Sequence, residues 1–141
     1  MSNDKQLTAE DLEFLGRPLY GFLTVAGGPQ PSQPRPVWFE ATADGKIQLT
    51  TEPDALKVRR LRRDPRATFV VASPVGEREH WVSVAGSTTI DSEGAQELTA
   101  RMAGRYWDLN DQARADQLAQ MLTIDNLRVV IHPESVRRLA I

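Results

Sequence analysis

Six of the ten residues from Lys57 to Arg66 are basic: Lys57, Arg59, Arg60, Arg62, Arg63 and Arg66. Only Asp64 opposes them within the block. A cluster of that density can neutralise a nucleic acid, a membrane surface or a single phosphate. The residues on its N-terminal side favour the last. "IQLTT" ends in Thr50 and Thr51, two hydroxyl donors, and a helix expected to start at Glu52-Pro53-Asp54 sets Lys57 one turn in. The first amides of such a helix, with the positive end of its dipole, attract anions. The competing reading is a wet helix face whose cations pair with Glu52, Asp54 or Asp64 for a few tenths of a kcal/mol each. For Arg62, Arg63 and Arg66 that reading is kept: they face solvent or cap the helix and its Asp64.

The charge balance separates the ligand classes. The chain of 141 residues has 17 Lys and Arg against 19 Asp and Glu, a net charge of −2. Outside the block, 11 basic residues face 18 acidic ones. Nucleic-acid affinity comes from neutralising many phosphates along a backbone, which needs a basic face rather than an island on an acidic chain. Leu56, Val58 and Leu61 make too narrow an apolar face for a membrane-surface helix. No nucleic acid and no membrane are therefore expected as partners, and a small anion is.

The surrounding elements must position this block. Thr8-Ala9-Glu10-Asp11 reads as a capped helix start. "LYGFLTV", Leu19 to Val25, is a strand, and "AGGPQPSQP" after it is irregular. Arg35 to Thr51 reads as one β-hairpin turning at Asp44-Gly45, with Pro36 at an edge, a strand start or a bulge. The basic helix ends at Asp64-Pro65. Arg66 to Ala72 and His80 to Ile90 are strands, the second bent or bulged at Gly86. Ser92 is placed as the cap of one helix, and Asp111 to Leu122 forms another. "LRVVIHPESVRRLAI" closes the chain as a strand, a kink at Pro133 and a short strand. No βαβ repeat occurs, so the pattern predicts a mostly antiparallel barrel with peripheral helices, one domain over 1–141.

The chain has no cysteine, no P-loop, no strand-following G-x-G-x-x-G and no G-x-S-x-G elbow. His80 and His132 are far apart in sequence, so no metal site is expected. The polar start carries no apolar h-region, and the expected compartment is the cytoplasm. An enzyme with this residue set would leave the reaction to a cofactor.

"RPVWF … IQLTTEPDALKVRRLRRDPRATF" resembles the pyridoxamine-5'-phosphate-oxidase-like flavin split barrels. It is most similar to the small oxidoreductases of that group that use the deazaflavin coenzyme F-420. The resemblance rests on Pro36-Val37-Trp38-Phe39, the Asp44-Gly45 hairpin, Thr51 and the run Lys57 to Arg66, and it continues through "WVSVAG" and "LRVVIHPESV". It implies a six-stranded antiparallel split β-barrel that forms a homodimer with one cofactor in each cleft between subunits. It also implies that Arg35, Pro36, Val37 and Trp38 lie along the ring system, and that Thr50 and Thr51 bind the phosphate or ribityl chain. Lys57 becomes the main phosphate cation with Arg60 near it, and Trp81 lies where the partner's strand approaches. A tryptophan on an alternating strand is more often core or interface than a shelf for a ligand, so for Trp38 and Trp81 that reading stands beside the cofactor one.

The implied activity is hydride transfer between F-420 or FMN, with F-420 favoured, and a small organic acceptor. The alternative is a flavin-, deazaflavin- or heme-binding protein without turnover. Related sequences carry Ser or Arg where this chain has Ala55, Lys where it has Glu40, and Asn where it has Arg60.

Overall fold

The computed structural model of the chain describes residues 2–141. Its elements run β1 (Ser2–Asp4), α1 (Ala9–Leu15), β2 (Gly21–Val25), β3 (Arg35–Val37), β4 (Glu40–Ala41), β5 (Ile47–Thr51) and α2 (Leu56–Arg63). They continue β6 (Arg66–Ala72), β7 (His80–Asp91), α3 (Ala95–Tyr106), α4 (Gln112–Met121) and β8 (Leu127–Ala140). The strands form a single antiparallel sheet in the order β3-β2-β6-β7-β8-β5-β4, with β1 added along β8 beyond β5. The sheet curls into a half-barrel, and its two ends, β3 and β4, come from neighbouring stretches of chain. This is the mainly β architecture with peripheral helices that the sequence predicts, with eight strands where six were expected.

Alternation drives the curl. β6 alternates exposed and buried at every residue, with Ala67, Phe69 and Val71 inward. Val82 and Val84 of β7, Val129, Ile131 and Val136 of β8, and Ile47 and Leu49 of β5 join them in one core. Phe14 and Leu15 of α1 and Leu61 of α2 close it. Gly21 permits this packing, because a Cβ there would fall 1.9 Å from the Phe69 ring. The bend at Gly86 is a bulge, as expected: the β7–β8 register shifts between Ala85 and Gly86, and a Cβ at Gly86 would meet the His132 carbonyl at 2.0 Å.

Several boundaries differ from the sequence reading. The single hairpin expected over Arg35 to Thr51 is broken at Trp38 and Phe39. β3 pairs with β2 instead, while β4 makes only two pairs with β5. The cause lies on α3. Phe39 is fully buried, its carbonyl accepts from Arg105 Nη1 at 2.8 Å, and Trp38 stacks on Tyr106. β8 runs unbroken through Pro133, which sits opposite Gly86 at the bulge, where strand Pro is tolerated. The helix after β7 is capped by Gly94 at φ 73° rather than by Ser92, and α2 starts at Leu56, later than its acidic lead-in suggested. The Thr8–Asp11 capping box forms and α2 ends at Asp64, both as expected, while Asp111, expected as the first residue of α4, is its N-cap.

Candidate anion-binding pocket at the split

α2 packs against β2 and shares a cavity with β2 and the edge strand β3. Val58 and Leu61 anchor it in the core, leaving the basic residues on its other sides. Its N-cap is Ala55, which has no side-chain acceptor, so no side chain caps the first amides of the helix, although that of Val58 donates to the Ala55 carbonyl at 3.1 Å. A cavity of about 370 Å³ opens between this helix start, β3 and β2. Leu23, Val25, Val37 and Leu56 give it apolar walls, and Arg35, Lys57 and Arg60 also line it. No carboxylate lines it.

The electrostatics follow from that arrangement. The Lys57 amine is half-buried, and burial pushes its pKa below the usual lysine value, with the neighbouring charge of Arg35 as the second cause. Among the described residues no carboxylate pairs with Lys57, Arg35 or Arg60. Elsewhere in the block the cations behave as solvent-facing groups. Arg62 and Arg63 are exposed, and Arg59 Nη1 donates to the Asp54 carbonyl at 3.1 Å. Arg66 makes a two-pronged contact with Asp64 at 3.0 and 2.7 Å, which lowers the Asp64 carboxyl to about 2.

The residues singled out from sequence divide into two sets. Arg35, Pro36, Val37, Lys57 and Arg60 come together around the cavity. Thr50, Thr51, Trp38 and Trp81 are not among its lining residues. Thr50 Oγ1 accepts from Thr99 at 3.2 Å, and buried Thr51 donates to the Glu52 carbonyl at 3.4 Å. Trp38 packs face-on against Tyr106 at 5.0 Å and edge-on against Trp107 at 4.6 Å. Trp81 lies in register with Ala72 and Leu139.

Leu23, Val25, Gln33 and Leu56 complete the lining, although the sequence reading did not pick them out. Gln33 stands two residues before Arg35, in the irregular segment. Arg105 and Tyr106 were also missed, and they hold β3's end in place. Arg105 donates to the carbonyls of Phe39, Gly16 and Arg17, and Tyr106 donates to that of Leu19 at 2.6 Å. Glu40, at the position where a lysine was noted in related sequences, accepts from Arg101 and Gln48. Its carboxyl is held below the usual range, chiefly by the Arg101 bonds.

A second hollow, about 430 Å³, lies over the row Thr24, Thr68, Ala85 and Ser135. It also touches Arg66 and Glu134, but Arg66 is already committed to Asp64. The histidines are engaged apart from each other: His80 stacks on Phe14 with ring centroids 3.8 Å apart, and His132 Nε2 is 3.0 Å from Thr89 Oγ1. Among the described residues no group of three metal-ligating side chains occurs, and no helix is long and apolar enough to cross a membrane.

No protein-family model and no curated protein matches the chain. Solved structures do. A conserved hypothetical protein from Mycobacterium tuberculosis is 23% identical and superposes with a TM-score of 0.72 over 99% of this chain and 90% of its own. An F420 reductase is 19% identical, with a TM-score of 0.68 over 89% of this chain and 94% of its own. A pyridoxamine 5'-phosphate oxidase candidate from Listeria innocua is 15% identical, with a TM-score of 0.62 over 91% of each chain. At such identities the likeness is one of fold, and it agrees with the curled antiparallel sheet and its terminal helices. The chain is a split barrel of the pyridoxamine 5'-phosphate oxidase-like fold.

Proposed function

We propose that this protein binds a phosphate-bearing flavin or deazaflavin at the pocket beside α2 and acts as an oxidoreductase on a small organic acceptor, with F-420 favoured over FMN. One observation carries the reading: Arg35, Lys57 and Arg60 converge with a helix start that no side chain caps on one cavity that no carboxylate lines. Unpaired cations are costly to partly bury, and an anion that enters relieves that cost. The residues fit the phosphate end of either cofactor. They do not fit one better than the other. The F420 reductase of the same fold supports the preference.

When bound, either cofactor supplies a hydride-carrying ring. The chain's part is to hold and orient it. Lys57 and Arg60 take the phosphate with the first amides of α2. Arg35, Pro36 and Val37 offer the free backbone edge of β3 to the ring, while Leu23, Val25 and Leu56 exclude water. Arg35 also places positive charge where a reduced ring would gain negative charge. The Thr50 hydroxyl, bonded to Thr99, contributes only by exchanging that partner. Trp38 supports β3 from behind, with Tyr106 as its stacking partner.

A homodimer belongs to the same reading. Phe22 and Val70 are register partners, 41% and 36% exposed, on the face of the sheet turned away from the core. Covering that face with a second copy would bury them, together with Trp81 on the same face. The test is titration of purified, cofactor-stripped protein with FMN and separately with F-420, read by tryptophan fluorescence. Micromolar or tighter binding of one, weakened in Lys57→Ala, is the expected result. Binding of neither would overturn the reading.

A further inference from the structure

Five of the six cations in the basic block are arginines, and the one lysine is, with Arg60, one of the two that line the cavity. An arginine would hold a phosphate at least as well, and with a fixed fork of donors. Lysine differs in one chemical respect: its amine can lose a proton and become a nucleophile. The surroundings of Lys57 favour that form. Leu23, Val25, Val37 and Leu56 wall the cavity, no carboxylate stabilises the ammonium, and Arg35 stands close enough to disfavour a second positive charge. Desolvation beside another cation is the arrangement that activates amine nucleophiles. Lys5 and Lys46, the chain's other lysines, lack it. Lys5 is exposed, and Lys46 Nζ lies 3.2 Å from the Asp44 carboxylate.

We propose that Lys57 forms a reversible imine with small aldehydes that carry a carboxylate or phosphate, held in the pocket by Arg35 and Arg60. The unprotonated Nζ adds to the carbonyl carbon, and the carbonyl π pair moves to oxygen. Proton transfer through water gives the carbinolamine, and loss of one water leaves the C=N bond. The net change is aldehyde plus amine to imine plus water, with no oxidation or reduction. The guanidiniums fix the acid group and stabilise the oxyanion of the addition step.

The inference shares with the cofactor reading only the premise that the pocket takes anions. It requires neither FMN nor F-420, and the two can fail separately. The experiment incubates the intact protein with glyoxylate and sodium cyanoborohydride, then maps the reduced adduct by peptide mass spectrometry. Lys5 and Lys46 serve as internal controls. The expected result is labelling of Lys57 about tenfold or more faster than of Lys46, as befits an activated amine. Inorganic phosphate should suppress it, and propanal, which lacks the acid group, should show much less preference for Lys57. Lys57→Arg, which keeps the charge, should lose the fast labelling while retaining the circular dichroism spectrum of the parent. Arg35→Gln should slow labelling without moving it to another lysine. Equal labelling of the three lysines, or fast glyoxylate labelling that phosphate does not compete with, overturns the proposal. FMN or F-420 binding by a protein that labels evenly would retain the cofactor reading alone. Selective labelling of a protein that binds neither would retain the imine alone.

Discussion

Two groups of cations in this molecule have opposite surroundings. Arg138, on β8, donates to Asp11 Oδ1, Asp11 Oδ2 and Asp4, tying α1 and β1 to the sheet. Arg101 of α3 grips Glu40 of β4 in the same way. Among the described residues, Lys57, Arg35 and Arg60 have no such acid. Cations that build the fold are matched on site, and those lining the pocket are paired with no carboxylate among the described residues. Residue type does not distinguish the groups, since arginine occurs in both. The neighbours reached through tertiary structure do.

The largest expected effect falls on the matched group. Arg138→Ala leaves Asp11, 1% exposed, without its partner. Breaking a buried pair in this way costs about 3–5 kcal/mol. Chemical denaturation should show that loss, and a change under 1 kcal/mol would mean the pair is only decorative. Next comes Lys57→Ala. Loss of one charge-assisted contact should weaken binding of the phosphate-bearing cofactor by about 1.5–3 kcal/mol, roughly ten- to a hundredfold in Kd. Its fold stability should hold or rise, because no folded-state ion pair is lost.

The same contrast appears in pH dependence. Burial alone would raise the Asp11 carboxyl, but the hydrogen bonds from Arg138 and Thr8 outweigh it and leave the group below its usual value. Its stabilisation is therefore full above the ordinary carboxylate pKa and lost as pH falls through the lowered one. Lys57 runs the other way. Its folded pKa is lowered, so the unfolded chain binds the proton more tightly. Stability then rises with pH between the lowered value and the ordinary lysine value. Lys57→Met should abolish that alkaline rise and leave the acid limb unchanged, as thermal unfolding across pH would show. The smallest effect is reserved for exposed Arg62 and Arg63. Changing each to Gln should shift stability by under about 0.5 kcal/mol, and cofactor affinity should stay within about twofold. A larger loss of affinity would extend the pocket's reach along α2.

Much of the pocket was legible because its signals are local. A basic run after a Thr-ended strand, the edge-marking Pro36 and the stop at Asp64-Pro65 are all read within a few residues. The alternation of β6, the Gly86 bulge and the Thr8 capping box were legible for the same reason. The break between β3 and β4 was not. Val37-Trp38-Phe39-Glu40 has no punctuation, and what splits it is Arg105 and Tyr106, more than sixty residues away. Nor could the sequence show that Thr50 meets Thr99 rather than the cavity, since a hydroxyl's partner depends on which helix packs over it.

By itself, then, the sequence determined the mainly antiparallel β architecture, the helix that follows β5 and the concentration of positive charge on that helix. Periodicity, turn residues and caps act over a few residues and need no distant partner. Which cations were neutralised and which were left facing a cavity was settled only by the tertiary structure. The sheet's curl carries β3 alongside α2 and sends the carboxylates of Asp11 and Glu40 to other arginines, and charge pairing is decided by distances that only the folded chain sets.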